Sequence, residues 1–223
     1  MKKAAPKSRG KAPAATGGPA RNRAMEFFDR QFTRQIAAGD FALNPFERTA
    51  LPFLSGEVLD LGCGLGNLAR AAAKQGCRVT ALDASPQAIA HLERCARREQ
   101  LPIVARQANL QRLEFLLADG ERYDAVAAIG LLMFLPRELA RAAAAAIAEL
   151  VRPGGRAVLN VLIEGTTFLD MFQPDGFYLF GPRELPEFFP GWKQEHFELS
   201  IFPAPRETVK RFCTLIARRP GNV

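Results

Sequence analysis

Residues 58–67 read VLDLGCGLGN: an apolar run, three glycines at alternate positions, then a segment, Asn67–Gln75, in which Leu and Ala recur at helical spacing. A strand that stops on glycines and feeds a helix opens a βαβ unit, because the chain must cross back over the sheet to lay its next strand parallel to the first. The following residues meet that demand. RVTALD (78–83) reads as a strand, Pro86–Glu99 as a helix, PIVARQ (102–107) as a strand and residues 113–117 as a weak helix. YDAVAAIG (123–130) is a strand and Arg137–Leu150 an Ala-rich helix; RPGG (152–155) makes a turn, and GRAVLNVLI (155–163) is the fifth strand.

Residues 164–182 are irregular, a helix is predicted near Arg183–Phe188, and strands follow at about Gln194–Phe202 and Thr208–Ala217. These last two are joined too closely for a crossover helix and should pair antiparallel. Upstream, Met25–Ala38 sets Phe28, Phe32 and Ile36 on one helical face, Gly39-Asp40 ends it, and a short helix is expected around Pro45–Leu54. The expected class is α/β: a doubly wound, Rossmann-like sheet, mostly parallel with an antiparallel C-terminal strand, and helices on both faces.

At 223 residues, 48% apolar and 24% charged, the chain suits one globular domain with a large core. The formal net charge of +7 is deceptive. Seven Lys or Arg and no acid fall in the first 24 residues; taking them from the 30 basic residues leaves 23, equal to the 23 acids. The positive charge therefore belongs to a tail, and a basic domain surface built for nucleic acid is not indicated. Residues 1–23 are expected to be a disordered basic tail and 24–220 a single domain. The tail reads either as a solvated leader or as an electrostatic handle for an anionic surface.

No secretory core and no run of about 18 apolar residues is present, so a soluble, cytoplasmic protein without membrane contact is expected. Cys63, Cys77, Cys95 and Cys213 lack C-x-x-C spacing, and His91 and His196 are the only histidines. Neither a disulfide framework nor a metal site is expected.

In a doubly wound sheet a ligand sits beyond the carboxyl ends of the strands, where VLDLGCGLGN lies. Gly62, Gly64 and Gly66 let the backbone approach a ligand, and the next helix offers free N–H groups. A glycine turn alone also fits a dinucleotide fold, but here Asn67 replaces the last glycine of G-x-G-x-x-G and Asp60 stands two residues before the first. A carboxylate at that point opposes a pyrophosphate and suits a ligand carrying an ammonium or sulfonium group. Asp83, closing the second strand, can accept hydrogen bonds from two ribose hydroxyls. Read as structure only, Asp60 is a helix-capping acid and Asp83 the N-cap of the helix that begins at Pro86.

VLDLGCGLG, ALDAS, the pair Asn109-Leu110, YDAVAAIG and RPGG before GRAVLNV together resemble the class I S-adenosylmethionine-dependent methyltransferases over residues 56–162. GLLMFLP (130–136), EFFPGW (187–192) and VKRFCTLIARRP (209–220) look like the tellurite-resistance methyltransferase type within that class. The resemblance implies S-adenosyl-L-methionine as cofactor, S-adenosyl-L-homocysteine as product and a small-molecule acceptor. It implies that Asp60, Gly62, Cys63 and Gly64 line the methionine end, that Asp83 takes the ribose and that Ala84 borders the adenine. Asn109 and Leu110 would read the adenine edge, and Ile129 or Gly130 would approach the methyl group. Many members have Asp where this chain has Asn109, which removes charge assistance from that contact. Phe28, Phe32 and Asn44 occupy the place where the family lays a lid; the alternative for these aromatics is core packing.

Methyl transfer from a sulfonium is an in-line displacement that needs position and exclusion of water more than a base. A soft acceptor, a thiol or a chalcogen oxyanion, fits the lack of any His or paired-carboxylate constellation, and no catalytic residue is assigned. An oxygen or nitrogen acceptor would need a base from Glu164, Asp170, Asp175 or His196. Residues 164–181 are the acceptor-pocket candidate, with Phe177 and Tyr178 as walls and Lys210 and Arg211 as attractors of an anion. In the tellurite type a late histidine and arginines go with substrate, and only Arg211 has a counterpart here. Two further readings stand beside a small-molecule enzyme: a nucleic-acid or protein methyltransferase using the basic tail, and a non-catalytic adenosyl-binding module. Oligomeric state is left open.

Overall fold

The computed structural model describes residues 23–108, 120–174 and 176–221. The N-terminal tail lies outside them except for Arg23, which opens the first helix rather than ending the tail; Asn109, Leu110, Asp175 and the weak helix at 113–117 also lie outside. The elements in order are α1 (Arg23–Ala38), α2 (Pro45–Ala50), β1 (Glu57–Leu61), α3 (Asn67–Lys74), β2 (Arg78–Asp83), α4 (Pro86–Glu99) and β3 (Ile103–Gln107). After the undescribed residues come β4 (Tyr123–Ile129), α5 (Arg137–Leu150), β5 (Val151–Leu162), β6 (Lys193–Ala204) and β7 (Thr208–Arg218).

The seven strands form one sheet in the order β3-β2-β1-β4-β5-β7-β6. β1 to β5 are mutually parallel, and β7 is antiparallel to both β5 and β6. The chain runs outward from β1 to β3 and then returns to β4 on the other side of β1. That reversal is the switch point where a crevice opens between diverging connections.

Strand chemistry explains the C-terminal order. In β7 the run Phe212–Ala217 is buried on both faces, as an interior strand requires. β6 carries Lys193, Glu195, His196 and Glu198, and charge suits an edge that must not recruit another chain. Asn160 of β5 lies opposite Thr214 of β7, and its amide donates to the Thr214 hydroxyl at 3.0 Å, a buried polar pair that specifies this register.

The core lies in two layers. Val58, Val79, Ala125, Ala127 and Val158 pack against α3 and α4 and against Ala50 and Leu54. Leu59, Leu61, Val126, Ala128 and Leu159 face α5 through Ala140, Ala144 and Ile147. At the carboxyl ends of the strands a third, aromatic cluster gathers Phe168, Phe172 and Phe212 with Phe27, Phe46, Phe134 and Phe177.

Local differences from the sequence reading have simple causes. β5 begins at Val151, before the glycines: Tyr123 pairs with Val151 and Ala125 with Arg156, so residues 152–155 bulge within a continuing strand. The helix expected at Arg183–Phe188 is one 3₁₀ turn, Leu185–Phe188, and Leu132–Phe134 forms another. Both segments carry proline or aromatics that limit helical propagation.

Candidate S-adenosylmethionine site

The helix starts set the site. Pro86 and Pro45 occupy first helical positions, where a missing N–H costs nothing. Ser85 caps α4, its hydroxyl accepting from the Ala88 N–H at 3.2 Å and donating to Asp29 of α1 at 2.7 Å. Asp83 is thus not the cap. Its two carboxylate oxygens accept from the Gly64 N–H and the Ser85 N–H, each at 2.8 Å, so it ties the glycine turn to the end of β2. Asn44 caps α2 in a reciprocal box: its Oδ1 accepts from Glu47 N–H at 2.9 Å, and its own N–H donates to Glu47 Oε2 at 2.8 Å.

Between these starts lies a cavity of about 530 Å³, within the usual range for a small-ligand site. Its floor is Gly62–Leu65, Asn67 and Asp83–Ser85; Ile129–Leu131, Phe134 and Leu135 form one side, and Ala42, Asn44 and Glu47 another. The roof is one face of α1, where Ala24, Phe28, Gln31, Phe32 and Gln35 recur at helical spacing. Phe28 meets Phe134 edge to face at 5.1 Å, which closes the roof onto the wall. Phe32 does both things the sequence allowed: it is buried against Leu65 and Ala88, and it also faces the cavity.

The glycines differ in what they avoid. All three have positive φ, and a Cβ on Gly62 would press on Leu131 and one on Gly64 on Phe32, both cavity walls. Gly66 answers to packing instead: a Cβ there would lie 2.4 Å from Leu92, which is fully buried. Gly66→Ala is therefore expected to cost about 2 kcal/mol, from the left-handed conformation and overpacking together, seen as a lower urea midpoint with an unchanged slope.

Asp60 does not line the cavity. It is 4% exposed, on the sheet face shared with Val58, and its Oδ2 has no hydrogen-bond partner. Burial first, then the charges of Glu47 and Asp83, push its pKa up to about 8. Burial also raises Glu47 against the opposing Asn44 hydrogen bond, and raises Asp83 against the N–H groups of Ser85 and Gly64. Cys63 lines the cavity, but burial and then the neighbouring Asp60 and Asp83 hold its thiol well above the ordinary range, so it is a wall and not a nucleophile.

Of the residues expected near a ligand, Gly62, Cys63, Gly64, Asp83, Ala84, Ile129, Phe28 and Asn44 line the cavity. The four expected acceptor residues do not, Lys210 standing over the Phe168 ring at 4.5 Å. Phe177 stacks on Phe172 at 4.6 Å in the aromatic cluster. Tyr178 turns away to donate its hydroxyl to Glu184 at 2.7 Å, beneath the Arg137 guanidinium. Arg211 lies under Gly165, whose Cβ would meet its guanidinium, and its backbone pairs with the Thr166 hydroxyl. From the irregular stretch, among the described residues, only Gln173 reaches the cavity. The sequence reading missed Glu47, Leu131, Phe134 and Gln173; the N-x-x-E spacing at 44–47 was the one available signal, and it marks a helix start rather than a ligand.

Among the described residues no cluster of His, Cys, Asp and Glu is arranged to hold a metal, and no helix is long and apolar enough to cross a membrane.

Residues 58–155 match the family described as Methyltransferase domain. Ubiquinone biosynthesis O-methyltransferase of Xylella fastidiosa (strain 9a5c) is 35% identical over 127 residues, 54% of this chain and 49% of that protein. TehB from Haemophilus influenzae shares the fold with a TM-score of 0.67 at 22% identity, over 83% of this chain and 65% of that one. The N-methyltransferase NodS from Bradyrhizobium japonicum WM9, solved with S-adenosyl-L-homocysteine, gives 0.63 at 19% identity, over 89% of this chain and 100% of that one. The chain spans about half the length of the curated relatives it matches.

Fold, cavity and family match define residues 58–155 as a methyltransferase domain of the class I, S-adenosylmethionine-dependent kind. The fold is like that of TehB over 83% of this chain.

The cavity fits the cofactor chemically. Asp60 Oδ2 and Asn67 Oδ1 are buried acceptors without a partner, and the Asp83 carboxylate stands at the end of β2. S-Adenosylmethionine brings the matching donors, ribose hydroxyls and an ammonium, and when bound it supplies an electrophilic methyl group.

Proposed function

We propose that the chain catalyses methyl transfer from S-adenosylmethionine to an uncharged small molecule bearing a soft nucleophile, a thiol foremost. The observation that carries this reading is the division of the cavity by polarity. Carboxylates, Glu47 and Asp83 with Asp60 behind, gather on the side of the glycine turn. Met25, Phe28, Leu131, Phe134 and Leu135 supply the apolar part of the lining, where Phe28 meets Phe134, with Gln173 as a further polar group.

In this reading Asp83 holds the ribose, Ala84 borders the adenine, and Ile129 and Gly130 flank the methyl group. The acceptor enters between Phe28 and Phe134. Its sulfur attacks the methyl carbon, the bond from carbon to the sulfonium sulfur breaks, neutral S-adenosylhomocysteine leaves and the thiol proton passes to solvent. α1 excludes water, and the protein's part is orientation. Among the described residues no cation joins these carboxylates in the lining, which opposes an oxyanion, so the chalcogen alternative narrows to neutral acceptors. The O-methyltransferase relatives favour an oxygen acceptor, but that chemistry requires a base, and the apolar part of the lining presents none among the described residues.

The test is label transfer from methyl-labelled S-adenosylmethionine to 4-(mercaptomethyl)benzamide, to its charged near-isostere 4-(mercaptomethyl)benzoate and to tellurite. The benzamide is expected to be methylated at least about tenfold faster in kcat/KM than the benzoate, the discrimination an unpaired buried charge imposes. Equal rates, or preferred turnover of tellurite, reject the neutral-acceptor reading.

A further inference from the structure

Glu47 has an obvious structural use, since it completes the box that starts α2. That use does not explain where its carboxylate lies. Asn44 N–H engages Oε2, which leaves the other oxygen for a ligand, and the side chain faces the cavity close enough to Asp60 to act on its charge. A helix cap can be made at an exposed position without turning its carboxylate into a cavity that a second carboxylate, Asp83, also lines.

This end of the cavity is rich in acceptors. Asn67 Oδ1, in the lining, is buried and unpartnered, as is Asp60 Oδ2 behind the glycine turn; Glu47 adds a charged acceptor, and no Lys, Arg or His is among the described residues that line the cavity. Such a corner calls for a cationic donor with several N–H groups, which is an ammonium.

We propose that Glu47 is a specificity residue that binds the α-amino group of the methyl donor, so that the site selects an adenosyl ligand carrying an intact amino-acid end. The inference rests on the donor reading above and adds to it a residue outside the glycine turn. The capping box gives the carboxylate its aim. Asn44 fixes one oxygen, the first turn of α2 fixes the backbone, and no side-chain search is left for binding. Asn67, whose amide donates to Ala42 carbonyl at 3.5 Å, presents its carbonyl oxygen from the start of α3.

Calorimetry on the full chain with two ligands tests this: S-adenosylhomocysteine, and the same thioether with a butyrate in place of the amino acid, lacking only the amino group. Wild type is expected to bind S-adenosylhomocysteine about tenfold more tightly than the deamino ligand, the scale of one charge-assisted hydrogen bond. In Glu47→Gln that preference should collapse to within about twofold, the deamino affinity staying unchanged. Glutamine keeps an oxygen to accept from Asn44 N–H, so the helix start survives. Equal weakening of both ligands in the variant would mark Glu47 as a structural residue and overturn the proposal. So would equal binding of the two ligands by wild type, a comparison that needs no variant to fold. If wild type binds neither ligand, the donor reading falls and this inference with it; if it binds both equally, only the role of Glu47 is lost.

Discussion

At pH 8 and without ligand, Asp60→Asn is expected to be more stable than wild type by several kcal/mol, and the gap should close as the pH falls toward 4. Asp60 is buried, and burial with the Glu47 and Asp83 charges lifts its pKa from the ordinary 3.8 to about 8. Between those values the unfolded chain has released the proton while the native state still holds it. The native state thus binds more protons, and its stability declines as pH rises through this window. Asparagine resembles the protonated acid in size and carries no charge, so the variant escapes that decline. Urea unfolding at pH 4, 6 and 8 reads the effect, and parallel stability curves for the two proteins would contradict it. Ligand binding should respond in the opposite sense: a cationic donor favours the ionised carboxylate, so wild-type affinity for S-adenosylmethionine rises toward pH 8 while the asparagine variant stays flat.

Asp83→Ala is expected to lose about 1.5–3 kcal/mol of S-adenosylmethionine binding, roughly 10- to 150-fold, and about 1–2 kcal/mol of stability as well. The two losses share one origin. The carboxylate accepts from Gly64 N–H and Ser85 N–H, so it holds the glycine turn in place while presenting its outer face to the cavity. Alanine leaves both N–H groups without that partner and removes the acceptor for ribose. Asp83→Asn separates the contributions, since its carbonyl can still serve one N–H group; binding should fall while most stability remains. Calorimetry and denaturation on the same samples measure both, and wild-type affinity in Asp83→Ala would remove the ribose assignment.

Much of the fold was legible because its signals are short-range. Pro86–Glu99 and Arg137–Leu150 match the observed helices residue for residue, since a proline at the start and apolar spacing along the face are local properties. The β5 bulge was not legible. Gly154 has positive φ and looks like a turn, but pairing with β4 carries the strand through it. Tyr178 and Arg211 do not reach the cavity for a related reason: a residue's type says nothing of where its side chain points, and the Tyr178 hydroxyl goes to Glu184 while the Arg211 guanidinium, on β7, lies against Gly165.

The amino-acid sequence by itself determined the βαβ grammar, the glycine turn and the acids at the ends of the first two strands, because each is written within a few residues and needs no distant partner. Tertiary structure alone decided that β7 slips between β5 and β6, that Phe28 closes on Phe134, and that Glu47, at a helix start 13 residues upstream of Asp60, lines the same cavity as the glycine turn. Those outcomes come from burying surfaces brought together from far along the chain, and no local pattern specifies which surfaces will meet.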